Sequence, residues 1–314
     1  MSKSDIVTSM KRAIITGPTG PLGMSLIKEL LSEGVEVVAV CQSGSRRRKN
    51  LPEDSNLTVV SCNIDESDRL VGVLSQKDIN EADVFYHFAW TNTVDGRNDI
   101  EAQLNNVKYA IGWVKAAVDM GCNTFIGAGS QAEYGLCETR LNDKTFTNPI
   151  TAYGMAKLAA GQMTRLMAKQ LGIRHIWTRV LSVYGPNDRK DSLIGSLVMA
   201  LKNGEEFDTT EGRQVWDFLY EDDAAKAFYL LGEAGVDGKT YILGSGSSKP
   251  LKEYILEAQK LINKDAVVNF GAIPYGENCV MHLEADISEL KKDTGFEPRV
   301  TFEEGVFRIL CKLD

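Results

Sequence analysis

Up to about residue 245, short uninterrupted apolar runs alternate with longer stretches whose apolar residues recur every three or four positions. Ala13-Ile14-Ile15 reads as a buried strand. A loop with Gly17, Gly20 and Gly23 follows, and Leu22, Leu26, Ile27, Leu30 and Leu31 then fall at helical spacing. Val35 to Val40, Thr58 to Val60, 82–89, Thr124 to Gly129 and Arg174 to Val180 read as further strands, and Thr240 to Leu243 as one that rejoins their sheet. Helical patterns lie between them, including 99–120 and a stretch starting near Tyr153 after the polar loop 135–151. Strands alternating with helices over this length predict an α/β fold on a doubly wound parallel sheet. Beyond Tyr184 the pattern loosens into short helices, a polar segment at 203–214 and a tail, roughly 246–314, with its own helices and strands.

The helix at 99–120 carries two apolar stripes, one of Leu104, Val107, Ile111, Val114 and Val118, the other of Ala110, Trp113 and Ala117. A helix apolar on two faces is covered on both. The first stripe is expected to pack on the sheet. The second is then left for a partner, together with the apolar residues Met155, Leu158, Ala159, Met163, Leu166 and Met167 of the next helix, which predicts a homodimer. The alternative is that Trp113 fills the groove between two helices of one subunit.

Composition narrows the class. The chain has 314 residues, 43% hydrophobic and 25% charged, with a net charge of −8. These are the proportions of a globular protein and argue against a nucleic-acid surface. Six cysteines at 41, 62, 122, 137, 279 and 311 show no paired spacing, so neither a metal site nor a disulfide framework is expected, and a reduced cytoplasm fits. Residues 1–10 lack the apolar core of a leader, and no run reaches membrane-spanning length.

The glycine loop is where chemistry enters. A strand, a tight turn and a helix N-terminus leave free amides and a positive dipole end for a pyrophosphate. Gly17 permits the turn, Gly20 the close approach of the ligand and Gly23 tight packing of the helix. At the end of the second strand, an acid would accept hydrogen bonds from the ribose 2′-hydroxyl of NAD. Cys41 and Gln42 stand there instead, followed by Ser43, Ser45, Arg46, Arg47 and Arg48. Guanidinium and hydroxyl donors suit a 2′-phosphate, so NADP(H) is preferred with NAD(H) possible; the plain alternative is a solvated basic loop. The third strand ends at Asn63 and Ile64, where the adenine edge would lie. Tyr153 and Lys157 are four residues apart on one helix face, where an ammonium favours the ionised phenol. Ser130, ending the fifth strand, can donate to the same substrate oxygen. His87, alone at a strand end, reads as a packing residue.

Together, these motifs resemble the extended short-chain dehydrogenase/reductase family, the nucleotide-sugar epimerases and dehydratases. The resemblance runs through Gly17 to Gly23, His87-Phe88-Ala89, Asn106-Val107, Ser130 to Gly135, Tyr153 to Lys157, Arg179 to Pro186, Trp216 to Asp223 and Asp286 to Pro298. It implies a Rossmann domain at 1–181 and 216–245, and a smaller domain at 182–215 and 246–314 that closes over a sugar nucleotide. It implies Ser130, Tyr153 and Lys157 as the catalytic set. Thr19, Pro21, Leu22, Phe88, Ala89 and Asn106 join the glycines, Arg46, Arg47, Asn63 and Ile64 around the cofactor, which Tyr153 and Lys157 also touch. Thr91, Ser182 and Arg213 face the substrate.

Three departures from the family pattern narrow the reaction. The 4,6-dehydratases carry Thr-Asp-Glu where this chain has Ser130-Gln131-Ala132, and dehydration needs that acid and base. The acid that selects NAD is replaced by Cys41. The arginine that grips the nucleotide phosphate is Trp216 here, with Arg213 as the substitute. The resulting expectation is an NADP(H)-dependent reductase of a nucleotide-linked 4-keto-6-deoxysugar. The alternatives are a nucleotide-sugar 4-epimerase and a non-catalytic dinucleotide-binding module.

Overall fold

A computed structural model describes residues 10–313. The amino-terminal stretch read for the absence of a leader lies, apart from Met10, outside the described residues. In chain order the first half contains β1 (Arg12–Thr16), α1 (Pro21–Ser32), β2 (Glu36–Cys41), β3 (Leu57–Ser61), α2 (Leu70–Ser75), β4 (Val84–His87), α3 (Ile100–Asp119), β5 (Thr124–Ser130) and α4 (Ala152–Leu171). The second half contains β6 (Arg174–Val180), β7 (Ser182–Tyr184), α5 (Leu193–Asn203), β8 (Phe207–Thr209), β9 (Val215–Trp216), β10 (Phe218–Tyr220), α6 (Glu221–Ala234) and β11 (Thr240–Leu243). It ends with β12 (Lys249–Pro250), α7 (Leu251–Ile262), β13 (Val268–Phe270), β14 (His282–Leu283), α8 (Ser288–Thr294) and α9 (Phe302–Leu313).

Among the described residues, seven strands form one sheet in the order β11-β6-β5-β4-β1-β2-β3. Every neighbouring pair is parallel. Parallel strands covered by helices on both faces must be apolar throughout, and Ala13, Ile14 and Ile15 of β1 are fully buried. The chain winds outward from β1 to β3, then returns to β4 and winds the other way. That reversal opens a crevice beyond the carboxyl ends of β1 and β4, the usual ligand position in such sheets. β11 rejoins the sheet, as its sequence predicts, and forms the far edge beside β6.

A separate hydrophobic cluster joins α5, α7 and α9 through Leu197, Val198, Leu201, Ile255 and Val306. Small pairings accompany it: β7 with β10, β8 with β13, and β9 between β12 and β14. Helix α6 packs instead on α1 beside the large sheet, with Ala224, Ala227 and Phe228 in the same core as Leu26 and Ile27.

Helix α3 corrects the expected orientation. The face with Ala110, Trp113 and Ala117 is the fully buried one, joined by Val114, whereas Leu104 is 63% exposed. Val107, Ile111 and Val118 are half-buried. The indole decides the choice. Buried, Trp113 covers a large apolar area against Phe85 and satisfies its N–H by donating to the Ile64 carbonyl at 2.8 Å. Ala110 is small enough for α4 to come close, packing with Ala160 and Trp177. Trp113 therefore lies beneath the helix pair, not on a face available to a partner subunit.

Candidate active site

The crevice holds a cavity of about 920 Å³, lined at its base by the loop from Gly17 to Gly23. Gly17 has φ +71°, and a side chain there would begin 2.7 Å from the Ala89 amide nitrogen. A Cβ on Gly23 would sit 2.4 Å from the Gly17 carbonyl oxygen, so both positions are closed by backbone. Gly20 differs: only the Gly17 carbonyl lies near it, at 3.6 Å, and its open side faces the cavity. It is also the N-cap of α1, contributes no side-chain cap, and precedes Pro21, which has no N–H to satisfy. The remaining first-turn amides point into a space suited in size and polarity to a dinucleotide pyrophosphate.

Thr19, Pro21, Leu22, Asn63, Ile64, Phe88 and Ala89 line the same cavity. Cys41 and Gln42 stand at the end of β2 with Ser43, Ser45 and Arg47 on the rim. The Ser43 amide donates to Asn63 Oδ1 at 3.0 Å, which ties this rim to the end of β3. The three adjacent arginines have different surroundings. Arg47 lines the cavity, Arg48 donates to the Val59 carbonyl and Ser61, and Arg46 is exposed outside the lining. Arg46, expected at the cofactor with Arg47, thus stands outside the lining, the two being successive residues of the short helical turn at 46–50.

Beside the cavity, Ser130 ends β5 and begins a tight turn. Its amide donates to Glu133 at 2.9 Å and its Oγ accepts from the Ala132 amide at 3.2 Å. Glu133 is fully buried and also accepts from Trp177 Nε1 at 3.0 Å and Arg179 Nε at 2.8 Å. A charge so deeply buried is tolerable because it is paired and multiply hydrogen-bonded. Tyr153 lies in the first turn of α4, whose N-cap Thr151 accepts from the Gly154 amide. Lys157, one turn later, donates to the Ala128 carbonyl at 2.7 Å and is covered by the Trp90 ring, 3.7 Å from its Nζ. Trp90 lines the cavity and donates to Gln103 at 2.9 Å, so the catalytic candidates adjoin the cavity across this indole.

Burial pushes the Lys157 ammonium down to about 7, with the Glu133 carboxylate acting against the fall. Burial also raises the Tyr153 phenol; Ser130, by hydrogen bonding, and the Arg97 charge act against that rise, while Glu133 adds to it. The expected electrostatic partner of the phenol was Lys157. Its Nζ is 5.9 Å from the ring centroid, however, and the Arg97 guanidinium, at 4.4 Å, is closer. His87 is buried, bonded through Nδ1 to Thr16 Oγ1 at 2.8 Å, and driven down to about 3 by desolvation and Lys157. It is a neutral packing residue between Trp113 and Phe125.

Asn106 requires correction. It is fully buried and cannot touch a cofactor; its amide group accepts from the Thr91 amide and hydroxyl and donates to the Thr91 carbonyl. It sits behind Thr91, which does line the cavity. Arg213 also stands apart. Its guanidinium pairs with Glu211 at 2.6 Å and lies over Tyr275, outside the cavity lining. Ser182 accepts from Trp216 Nε1 at 2.6 Å, outside the cavity lining. Sequence reasoning missed Trp90, Arg97, and Asp188 and Arg189, which line the cavity from the loop before α5. None falls within a periodic apolar pattern. Among the described residues, no group of three or more His, Cys, Asp or Glu could hold a metal ion.

A dinucleotide-sized cavity at the reversal point of a doubly wound sheet, with serine, tyrosine and lysine gathered at its side, is the architecture of the extended short-chain dehydrogenases and reductases. The chain belongs to the NAD dependent epimerase/dehydratase family, whose profile matches residues 13–244. It is 25% identical over 310 residues to dTDP-4-dehydro-6-deoxyglucose reductase from Escherichia coli, covering 95% of this chain and 96% of that one. Its fold is similar to that of UDP-N-acetylglucosamine 4-epimerase from Methanobrevibacter ruminantium M1 in complex with UDP-N-acetylmuramic acid. The TM-score is 0.85 at 21% identity, covering 97% of this chain and all (100%) of that one. UDP-glucuronic acid 4-epimerase from Bacillus cereus, in complex with UDP-glucuronic acid and NAD, gives a TM-score of 0.83 at 20% identity over 96% of this chain and 100% of that one.

Proposed function

We propose that the protein is an NADP(H)-dependent reductase acting on the keto group of a nucleotide-linked 4-keto-6-deoxysugar. The observation that carries this reading is the rim at the end of β2, where Cys41 and Gln42 replace an acid and Ser43, Ser45 and Arg47 surround the ribose position. A 2′-phosphate matches these donors. Selection of NADPH serves net reduction; an epimerase, which regenerates its nicotinamide within each turnover, gains nothing from it. The absence of carboxylates at Gln131 and Ala132 argues against dehydration. The similarity to a reductase whose name specifies a 4-dehydro-6-deoxy sugar agrees. The segments 1–181 and 216–245 form the cofactor domain in this reading, and 182–215 and 246–314 the substrate domain, in a cytoplasmic enzyme.

When bound, NADPH supplies a hydride to the carbonyl carbon. Tyr153 gives its phenolic proton to the carbonyl oxygen, and Ser130 donates a hydrogen bond that orients that oxygen. Lys157, which donates to the Ala128 carbonyl, is the residue that would bind the ribose hydroxyls in this reading. Incubation of purified protein with NADPH and a panel of 4-keto-6-deoxysugar nucleotides tests the reading through stoichiometric NADPH consumption. The fold likeness to two 4-epimerases supports the second reading, interconversion of C4 epimers with retained cofactor.

A homodimer belongs to the same proposal, with the Leu104 side of α3 in place of the Trp113 side first expected. Leu104 of α3 and Met155, Met163 and Leu166 of α4 are exposed on the outer side of this adjacent helix pair. Two helices with such a patch suit a two-fold contact, in which the patch meets its copy. Leu166→Glu is expected to convert a dimer into a folded monomer in sedimentation; a monomeric parent rules the contact out.

A further inference from the structure

We propose that Arg97, whose guanidinium lies on the face of the Tyr153 ring, is the permanent cation that stabilises the ionised form of that phenol. This inference rests on the reading of Tyr153 as the proton-transfer group. Arg97 is a positioning residue, acting on the reaction through the tyrosine.

The geometry is built, not incidental. Arg97 Cζ is 4.4 Å from the ring centroid, well within the range of a cation over an aromatic face. The backbone fixes it there. The Tyr153 amide, one of the orphan donors in the first turn of α4, donates to the Arg97 carbonyl at 2.8 Å, and the Ala152 amide donates to Asn98 Oδ1 at 3.1 Å. On the other side, Gln103 donates to the carbonyls of Asn92 and Gly96 at 2.9 and 3.2 Å, which anchors the loop to α3. The loop turns at Asn92 and Gly96, both with positive φ, before delivering Arg97 to the ring. Among the described residues, no carboxylate is paired with the Arg97 guanidinium and no acceptor bonds to it.

The groups facing Tyr153 differ in what they can contribute. Ser130, from the end of β5, offers a hydrogen bond, and Glu133, from the following turn, opposes the phenolate. Trp90 presents its ring near edge-on at 6.3 Å. Lys157, on α4 itself, lies 5.9 Å from the ring, and burial brings it to about 7, so at neutral pH it carries only part of its charge. A guanidinium stays charged at every pH the protein meets. In the proposed reduction, the phenolic O–H bond breaks as the proton passes to the carbonyl oxygen. The phenolate left behind is the species Arg97 stabilises until solvent returns the proton.

The test is a carbon-13 tyrosine NMR titration of the full chain with NADP+ bound, the Tyr153 resonance being assigned by its loss in Tyr153→Phe. Arg97→Gln is expected to raise the Tyr153 midpoint by about one pH unit, because an opposite charge near the ring has been removed. Arg97→Lys, which keeps a cation, is expected to restore most of the difference. A midpoint in Arg97→Gln that coincides with the parent's overturns the inference, as does a phenol that stays neutral in both proteins wherever they remain folded. No sugar substrate is needed, so a failure of the reductase reading appears as missing turnover and not in this titration.

Discussion

The glycine-loop side of the molecule and the smaller group of elements after Tyr184 were both expected to carry ligand-binding residues, and the two fared differently. On the first side, the binding surface is backbone: two glycines closed by neighbouring main chain, one open to the cavity, and the uncapped amides of α1. On the second, it had to be made by side chains. There Arg213 turned to Glu211 and Tyr275, and Trp216 bonded Ser182. Backbone geometry follows from residue spacing alone. A long side chain on a loop goes to whichever partners the tertiary fold brings near; for Arg213 these are Glu211, two residues off, and Tyr275, 62 positions away.

The contrast can be pressed experimentally. Tyr153→Phe carries the largest expected effect. It removes the transferable proton while leaving the glycine loop untouched, so kcat is expected to fall on the order of a thousandfold with NADPH affinity nearly unchanged. Unaltered turnover would remove Tyr153 from the chemistry.

Arg47→Ala addresses the rim at the end of β2, where the cofactor side relies on side chains. NADPH binding is expected to weaken by about 1.5–3 kcal/mol, roughly ten- to a hundredfold, with NADH binding little changed. Isothermal titration with both cofactors checks this, and equal losses would return the basic run to the status of a solvated loop. Arg213→Ala carries the smallest effect. Its ion pair is exposed, its side chain being 69% accessible, and such pairs contribute about 0–1 kcal/mol. Stability and the KM for sugar nucleotide are expected to stay within about twofold of the parent. A tenfold rise in KM would show that Arg213 swings to the substrate and that the contrast between the two sides is overdrawn.

How far the sequence could be read follows the same division. The parallel doubly wound sheet, the return of Thr240–Leu243 to it and the placement of Gly17, Gly20 and Gly23 all derive from local patterns, and the structure has them. The face of α3 could not be read, because both stripes were apolar and the choice lay with an indole N–H seeking the Ile64 carbonyl, 49 positions away. Asn106 was recognisable as part of a motif, but that its amide group would be consumed by Thr91 was not. Glu133 appears in sequence as an ordinary acid; only the fold reveals that Ser130, Trp177 and Arg179 converge on it. Arg97 sits in a polar loop without periodicity, and its position over Tyr153 depends on hydrogen bonds from α3 and α4 to that loop.

The central claim, net reduction at the sugar's keto carbon, is tested most directly by isotope transfer. NADPH carrying deuterium at the transferable nicotinamide position would be incubated with the protein and a nucleotide-linked 4-keto-6-deoxysugar, and the product read by mass spectrometry and NMR. The account predicts one deuterium per product molecule, on the former keto carbon, with an equal amount of NADP+ formed. Interconversion of unlabelled C4 epimers without net NADPH oxidation would contradict it.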